Sequence, residues 1–247
     1  MSRSRLVVLF AFAYSALLFA LLAPLAALWP TLGWRNRLSL LAGHLAARAC
    51  LALAGIKVVL ASGREHLAQR PAVFLFNHTN TLDFFVNGIL ARPGWLVFGK
   101  RENAWLPFIG WGWAMGGHPL IARGDRGHWA GVLARVEDLL RRGWCTIIAP
   151  EGTRNRDGQV GEFKKGAFHL ALAAGVPLVP IVIRGAAPLF DATGPLPGTI
   201  VVDVLPPVPT AGWAPDRLDE HVAAVRGLYL AALGDPAAHL GPAAGQG

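Results

Sequence analysis

Little of this chain is charged. Asp, Glu, Lys and Arg make up 15% of its 247 residues against 53% apolar, and mean hydropathy is +0.42. That balance excludes an ordinary cytosolic enzyme, yet it is too polar for a multi-span transporter. A globular domain attached to a membrane fits both figures. Cysteine is scarce as well. Cys50 and Cys145 lie in apolar segments without CxxC spacing, which removes a structural zinc site and reads as two reduced packing residues. Acidic residues are few, 15 against 23 basic, for a formal charge of +8. A basic protein with apolar surface meets nucleic acid or anionic lipid. The arginines here are scattered and form no long block, which sets nucleic acid aside as a partner. There is no internal repeat and no GxxxxGK[ST] loop.

Long apolar runs are what the chain does have. Residues 6–30 contain no charge; as a helix they would measure about 37 Å, enough to cross a bilayer core of about 30 Å with some tilt. Pro24 is a possible kink. Arg3 and Arg5 precede the run and Arg35 and Arg37 follow it, so the positive-inside rule does not orient it. A second stretch, 38–56, carries His44 and Arg48 and suits a helix lying in the membrane interface. The two stretches make either one crossing plus an interfacial helix or a two-helix monotopic anchor. A cleaved signal peptide is disfavoured by the length of the run.

From Gly55 onward short apolar runs alternate with amphipathic ones. IKVVLA, AVFLF, WLVFG, PLIA, CTIIA, LVPIVI and TIVVDVL read as strands, and HWAGVLARVEDLLRRG (128–143) as a helix stopped by Gly143. The alternation predicts a single α/β sandwich with a mostly parallel sheet. One more helix is expected over 215–233, and a disordered Pro/Gly-rich tail over 235–247.

Two polar clusters interrupt the apolar runs. In FLFNHTNTLDFF, His78 and Asp83 are five residues apart, about 140° around a helix, so they meet only if His78 lies in the turn after strand AVFLF and Asp83 in the next helix. The intervening Thr and Asn residues suit such a turn. Asp83 would then orient the ring of His78 and leave its other nitrogen as a base. No serine or cysteine nucleophile stands alongside, which points to activation of a substrate hydroxyl. The competing reading is a capped turn holding an incidental histidine.

The second cluster, CTIIAPEGTRNRDG (145–158), opens a strand onto Glu151, Gly152, Thr153 and Arg154. Exposed backbone N–H groups, a hydroxyl and a guanidinium fork suit a phosphate, with Glu151 holding Arg154 in place; a solvated, self-paired loop is the alternative. Lys164 and Lys165 either add positive field or are plain surface lysines. Lys100 and Arg123 end apolar stretches where a strand would bring a cation to the sheet edge. Between them Trp105, Trp111 and Trp113, with Pro107 and Phe108, either line an apolar groove, sit at a membrane interface or fill the core.

Taken in order, NHTNTLD, GGHPLIAR, APEGTR and VPLVPIVI resemble the four sequence blocks of the glycerolipid acyltransferase family, whose best-known members are the 1-acylglycerol-3-phosphate O-acyltransferases. KRENAWLPFIGW resembles the stretch between the first two blocks, and the likeness runs from about residue 56 to 205. It implies an anchor over 1–55, an acyltransferase domain over 56–234, and transfer of an acyl group from acyl-CoA or acyl-carrier protein to a lysophospholipid hydroxyl. His78 would be the base and Asp83 its partner. Gly152, Thr153 and Arg154, with Glu151, Lys100 and Arg123, would bind the acceptor. Metal and cofactor are not required, and membrane lipid is an expected partner at the cytoplasmic face of the inner membrane. Asn80, Ala149 and Asn155 stand where the family commonly has serine, an aromatic residue and serine, which leaves the acceptor head group open, another lyso-lipid such as a lyso-ornithine lipid or a different lysophospholipid being the alternative. Two readings of other classes stand beside it: a membrane-tethered thioesterase using His78 to activate water, and a non-catalytic protein that binds anionic lipid.

Overall fold

The computed structural model of the chain describes residues 3–28, 31–105, 109–122, 126–155 and 158–234. Pro107, Phe108, Arg123 and the tail over 235–247 therefore lie outside the described residues.

Two helices come first, α1 (Arg3–Leu28) and α2 (Leu32–Ala54). The chain then alternates through β1 (Ile56–Ser62), β2 (Ala72–Phe76), α3 (Leu82–Leu90), β3 (Trp95–Val97), β4 (Gly99–Lys100), α4 (Ile109–Gly116) and β5 (Leu120–Ile121). It continues through α5 (Arg126–Arg141), β6 (Cys145–Ile148), α6 (Gly166–Ala174), β7 (Leu178–Arg184), β8 (Phe190–Asp191), β9 (Gly194–Pro195), β10 (Gly198–Val204) and α7 (Leu218–Gly234). The main sheet has the order β1-β10-β7-β2-β6-β3 and is parallel except between β10 and β7. This is the α/β sandwich that the alternation predicts.

β2 and β7 are buried along their whole length, which is why they read as unbroken apolar runs. One face of the sheet packs Phe74, Ile147, Ile181 and Ile200 under α2 and α3. The other packs Leu75, Leu96 and Leu178 under α5, α6 and α7, where Phe168 and Tyr229 are fully buried.

The stretch WLVFGK does not stay in one strand. β3 ends at Val97, and Gly99–Lys100 pairs instead with Leu120–Ile121 in a separate ribbon. Gly99 takes part because a Cβ there would lie 2.8 Å from the Trp113 ring. Lys100 thus sits on this ribbon and not on the main sheet, a correction to the sheet-edge expectation.

α2 packs against the sandwich. Thr31 caps it, its Oγ1 accepting from the N–H of Trp34 at 3.4 Å. Asn36 then fastens it to the sandwich: its amide donates to the carbonyls of Trp95 and Gly116, both at 3.0 Å, and accepts from the N–H of Gly94 at 2.8 Å. Further along, Gly88 of α3 approaches Ala47 and the Gly43 carbonyl so closely that a Cβ there would meet them at 3.0 and 3.3 Å. Among the described residues α2 alone is long and apolar enough to cross a membrane, and half of that apolar window is buried in the protein. The side left uncovered carries Leu41, Leu45 and Leu53. α1 lies along α2 and α4, its Phe19 ring resting where Gly112 has no side chain. Its exposed Leu17, Leu21, Leu25 and Leu28 fall at helical spacing on one side.

Candidate active site

β2 runs through the centre of the sheet and ends at Phe76. There the amide of Asn77 takes over the ladder, donating to the Ile183 carbonyl at 2.8 Å and accepting from the Ile183 N–H at 2.7 Å. The side chain thereby stands in for one more residue of strand, and the main chain is free to turn at His78.

The turn is built around Asp83, in the first turn of α3 and wholly buried. Its Oδ2 accepts from His78 Nδ1 at 2.9 Å, from the Thr79 N–H at 2.6 Å and from the Asn80 N–H at 3.0 Å. The Thr79 hydroxyl adds a longer bond to Oδ1 at 3.3 Å. With a carboxylate oxygen accepting at Nδ1, the imidazole tautomer placed here carries its proton on that nitrogen. Nε2 is left with its lone pair and has no hydrogen-bond partner among the described residues. Asn80 fixes the other side of the turn, donating to the Ala186 carbonyl at 2.6 Å and accepting from the Leu82 N–H at 2.8 Å.

The second cluster lies against this turn. Both carboxylate oxygens of Glu151 stand 3.2 Å from the backbone nitrogen of His78, whose N–H they accept. The Asn155 N–H donates to the His78 carbonyl at 2.9 Å. The main chain of His78 is therefore clamped on both sides by the loop after β6. Glu151 is buried, and loss of hydration pushes its carboxyl up to about 7 from an ordinary 4.5; the His78 N–H and Arg226 oppose that rise and Asp83 adds to it. Arg226 of α7 holds the far end of the loop through the carbonyls of Gly161 and Val160 at 2.7 and 2.8 Å. The hydroxyl of Tyr229 donates to the Leu75 carbonyl at 2.8 Å, and burial beside Glu151 raises it well above the ordinary tyrosine range.

Sequence placed Glu151 beside Arg154 in a phosphate pocket. The structure corrects this: no ion pair joins the two, and Glu151 faces inward to His78. Arg154 is exposed and donates instead to the hydroxyl of Thr81, the residue before α3, at 3.3 Å. Gly152 has φ +68°, a conformation that favours glycine, and Lys164 lies over it, 3.1–3.3 Å from where a Cβ would be. Gly152, Thr153, Arg154 and Lys164 are all exposed on this edge. Lys100 has no bond to any of them, and Arg123 lies outside the described residues.

Sequence reasoning gave no individual part to Asn77, Thr79, Thr81 or Asn155, although the polar run NHTNTLD marked the turn they build. It also passed over His118. This histidine is buried, accepts the Val97 N–H at Nδ1 (3.2 Å) and bonds Ser39 of α2 through Nε2 (3.3 Å), while Ser39 donates to the Gly112 carbonyl at 2.7 Å. Burial lowers its pKa to about 4, so it is a neutral bracket between α2, α4 and β3. The tryptophans divide. Trp113 is buried and stacks on Phe84 at 5.7 Å, while Trp105 and Trp111 are exposed.

A family model described as Acyltransferase matches residues 58–184. The chain is 32% identical over 222 residues to a 1-acyl-sn-glycerol-3-phosphate acyltransferase of Limnanthes douglasii, covering 87% of this chain and 74% of that one. It is 30% identical over 187 residues to the enzyme of the same name from Escherichia coli strain K12, covering 75% and 76%. Among solved structures it resembles the 1-acyl-sn-glycerophosphate (LPA) acyltransferase of Thermotoga maritima, with TM-score 0.75 and 22% identity over 93% of this chain and 96% of that one. That likeness establishes the same fold.

Proposed function

The chain belongs to the glycerolipid acyltransferase family, and from that premise we propose that it moves a fatty acyl group from acyl-CoA or acyl-carrier protein to the free hydroxyl of 1-acylglycerol-3-phosphate, giving phosphatidic acid at a membrane surface. The observation that carries the reading is the 2.9 Å bond from His78 Nδ1 to the buried Asp83.

In this mechanism Nε2 of His78 removes the proton of the acceptor hydroxyl as its oxygen attacks the thioester carbonyl. Asp83 stabilises the imidazolium that forms. The tetrahedral intermediate expels the thiolate, and the imidazolium returns its proton to the sulfur. Atoms balance without an acyl-enzyme, in keeping with a sequence cluster around His78 that holds no serine or cysteine. Arg154, with Thr153 and the backbone at Gly152, would hold the acceptor phosphate through charge-assisted bonds, and Lys164 over Gly152 adds positive charge to the same edge. The exposed leucines of α1 and α2 and the exposed Trp105 and Trp111 support attachment to lipid.

The experiment is an acyl-transfer assay by mass spectrometry on detergent-purified protein, offering acyl-CoA and acyl-carrier protein with a panel of lyso-lipids. Phosphatidic acid formed from lysophosphatidic acid supports the proposal. Product from a different lyso-lipid alone changes the acceptor, and free fatty acid alone makes the enzyme a thioesterase.

A further inference from the structure

Away from His78, at the opposite ends of the same strands, lies a cleft of about 400 Å³ with no carboxylate among the described residues that line it. Arg70 and Trp144, which precede β2 and β6, line it with Arg92, Gly94 and, from α2, Gly33 and Arg37. The entire length of β2 separates it from the turn at His78, about 16 Å of strand. It is therefore a different place from the acceptor phosphate edge.

The arginines are not equivalent. Arg70 is part of the wall: its guanidinium donates to the Pro93 carbonyl at 2.7 Å and the Gly143 carbonyl at 3.4 Å. It lies so near Gly94 that a Cβ there would meet it at 2.1 Å. Arg37 and Arg92 are exposed, and their guanidinium groups have no hydrogen bond or ion pair among the described residues. The cleft thus offers two uncommitted guanidinium forks over a third that is fixed, with an indole beside them. Planar forks without a competing carboxylate select an oxyanion such as phosphate.

The position of Arg37 distinguishes a lipid from a free ion. Asn36 ties the start of α2 to β3, so Arg37 is held at the sheet end. From there Arg37, Leu41 and Leu45 follow at four-residue spacing, and all three are exposed. Trp34, also exposed, donates its indole N–H to the Leu25 carbonyl at 3.1 Å and completes the helix turn beside Arg37. When the leucine row is immersed in lipid, Arg37 and the cleft lie at headgroup depth, where arginine and tryptophan favour the interface.

We propose that this cleft seats the headgroup phosphate of an anionic membrane phospholipid, a second lipid site separate from the one that takes the acceptor. The proposal rests on the reading that the protein is membrane-attached. It sets the depth and orientation of the protein on the bilayer through charge, beside the apolar contact of α1 and α2.

The test compares binding of the full chain to phosphatidylcholine vesicles and to the same vesicles doped with phosphatidylglycerol, with and without inorganic phosphate. The variants are Arg37→Gln/Arg92→Gln and, as a control of equal charge change, Arg142→Gln/Arg217→Gln, whose arginines sit in exposed helix-end ion pairs. Acyl transfer to detergent-dispersed acceptor verifies that each variant is folded. The wild type is expected to prefer the doped vesicles, and the Arg37/Arg92 variant to lose about tenfold or more of that preference, with little change in the control. Equal loss in both variants makes the effect general charge and overturns the proposal. Competition by inorganic phosphate makes the cleft a free-phosphate site and overturns the lipid assignment. Wild-type binding without preference overturns the proposal while leaving membrane attachment intact, and no wild-type binding to either vesicle overturns both.

Discussion

Glu151 and His78 meet through the main chain: both oxygens of the Glu151 carboxylate stand 3.2 Å from the backbone nitrogen of His78. The proposed base is therefore held at its ring by Asp83 and at its backbone by Glu151. Removing the second hold leaves a buried N–H without a partner and lets the imidazole drift. Glu151→Ala is expected to lower kcat about 100-fold with little change in KM for the acceptor, and Glu151→Gln, which keeps an accepting oxygen, to recover most of the loss. A rise confined to the acceptor KM would return Glu151 to the phosphate pocket where its sequence context first placed it.

Asp83→Asn replaces an acceptor that serves four donors with an amide that accepts at only one atom. The proton of the imidazole then has no reason to stay on Nδ1. Turnover should fall by about 10³-fold or more, with circular dichroism unchanged. A variant keeping a tenth of wild-type kcat would remove Asp83 from its orienting role.

Stability should respond to pH through two buried groups of opposite sign. Glu151 has its folded pKa raised from 4.5 to about 7, so its contribution is present below 4.5 and lost as pH rises through 7. His118 is lowered from 6.5 to about 4, so its contribution is present above 6.5 and lost as pH falls through 4. The two oppose each other over much of the same window. Relative to wild type, Glu151→Gln should become progressively more stable as pH rises from about 4.5 to 7. His118→Asn should lose least, again relative to wild type, at the acid end. Thermal midpoints across pH 4–8 check both slopes; parallel curves for wild type and variants would show that neither group carries the expected linkage.

How legible was all this in the sequence? The sheet was, because β2 and β7 are buried on both faces and so write continuous apolar runs. The dyad was also legible, since His78 and Asp83 are five residues apart and the polar run between them has few ways to fold. Glu151 was not. Its partner is a backbone N–H at a distance of 73 residues, and a backbone group has no letter of its own. The same holds for Asn77, whose amide meets Ile183 across 106 residues. The packing of α2 was not legible: Asn36 and Ser39, the polar residues that bolt it to β3 and α4, left no periodic signal. Lys100 was displaced from the sheet edge by Trp113, whose ring needs the bare face of Gly99.

Arg154 separates binding from chemistry. It is exposed and, among the described residues, its side chain is held only by Thr81, so its removal leaves the fold in place. Arg154→Ala should raise KM for phosphate-bearing acceptors about tenfold, as loss of one charge-assisted contact does, and change phosphate-free acceptors little. Equal loss on both would make Arg154 a structural support for the turn.

The central claim is that Nε2 of His78 takes the acceptor proton. The measurement that addresses it most directly is single-turnover acyl transfer from acyl-CoA to lysophosphatidic acid, followed by mass spectrometry, for wild type and His78→Ala with vesicle binding measured alongside. The account predicts phosphatidic acid from the wild type, at least about 10³-fold less from the variant, and unchanged vesicle binding. Transfer by the variant at a rate near that of wild type would contradict it.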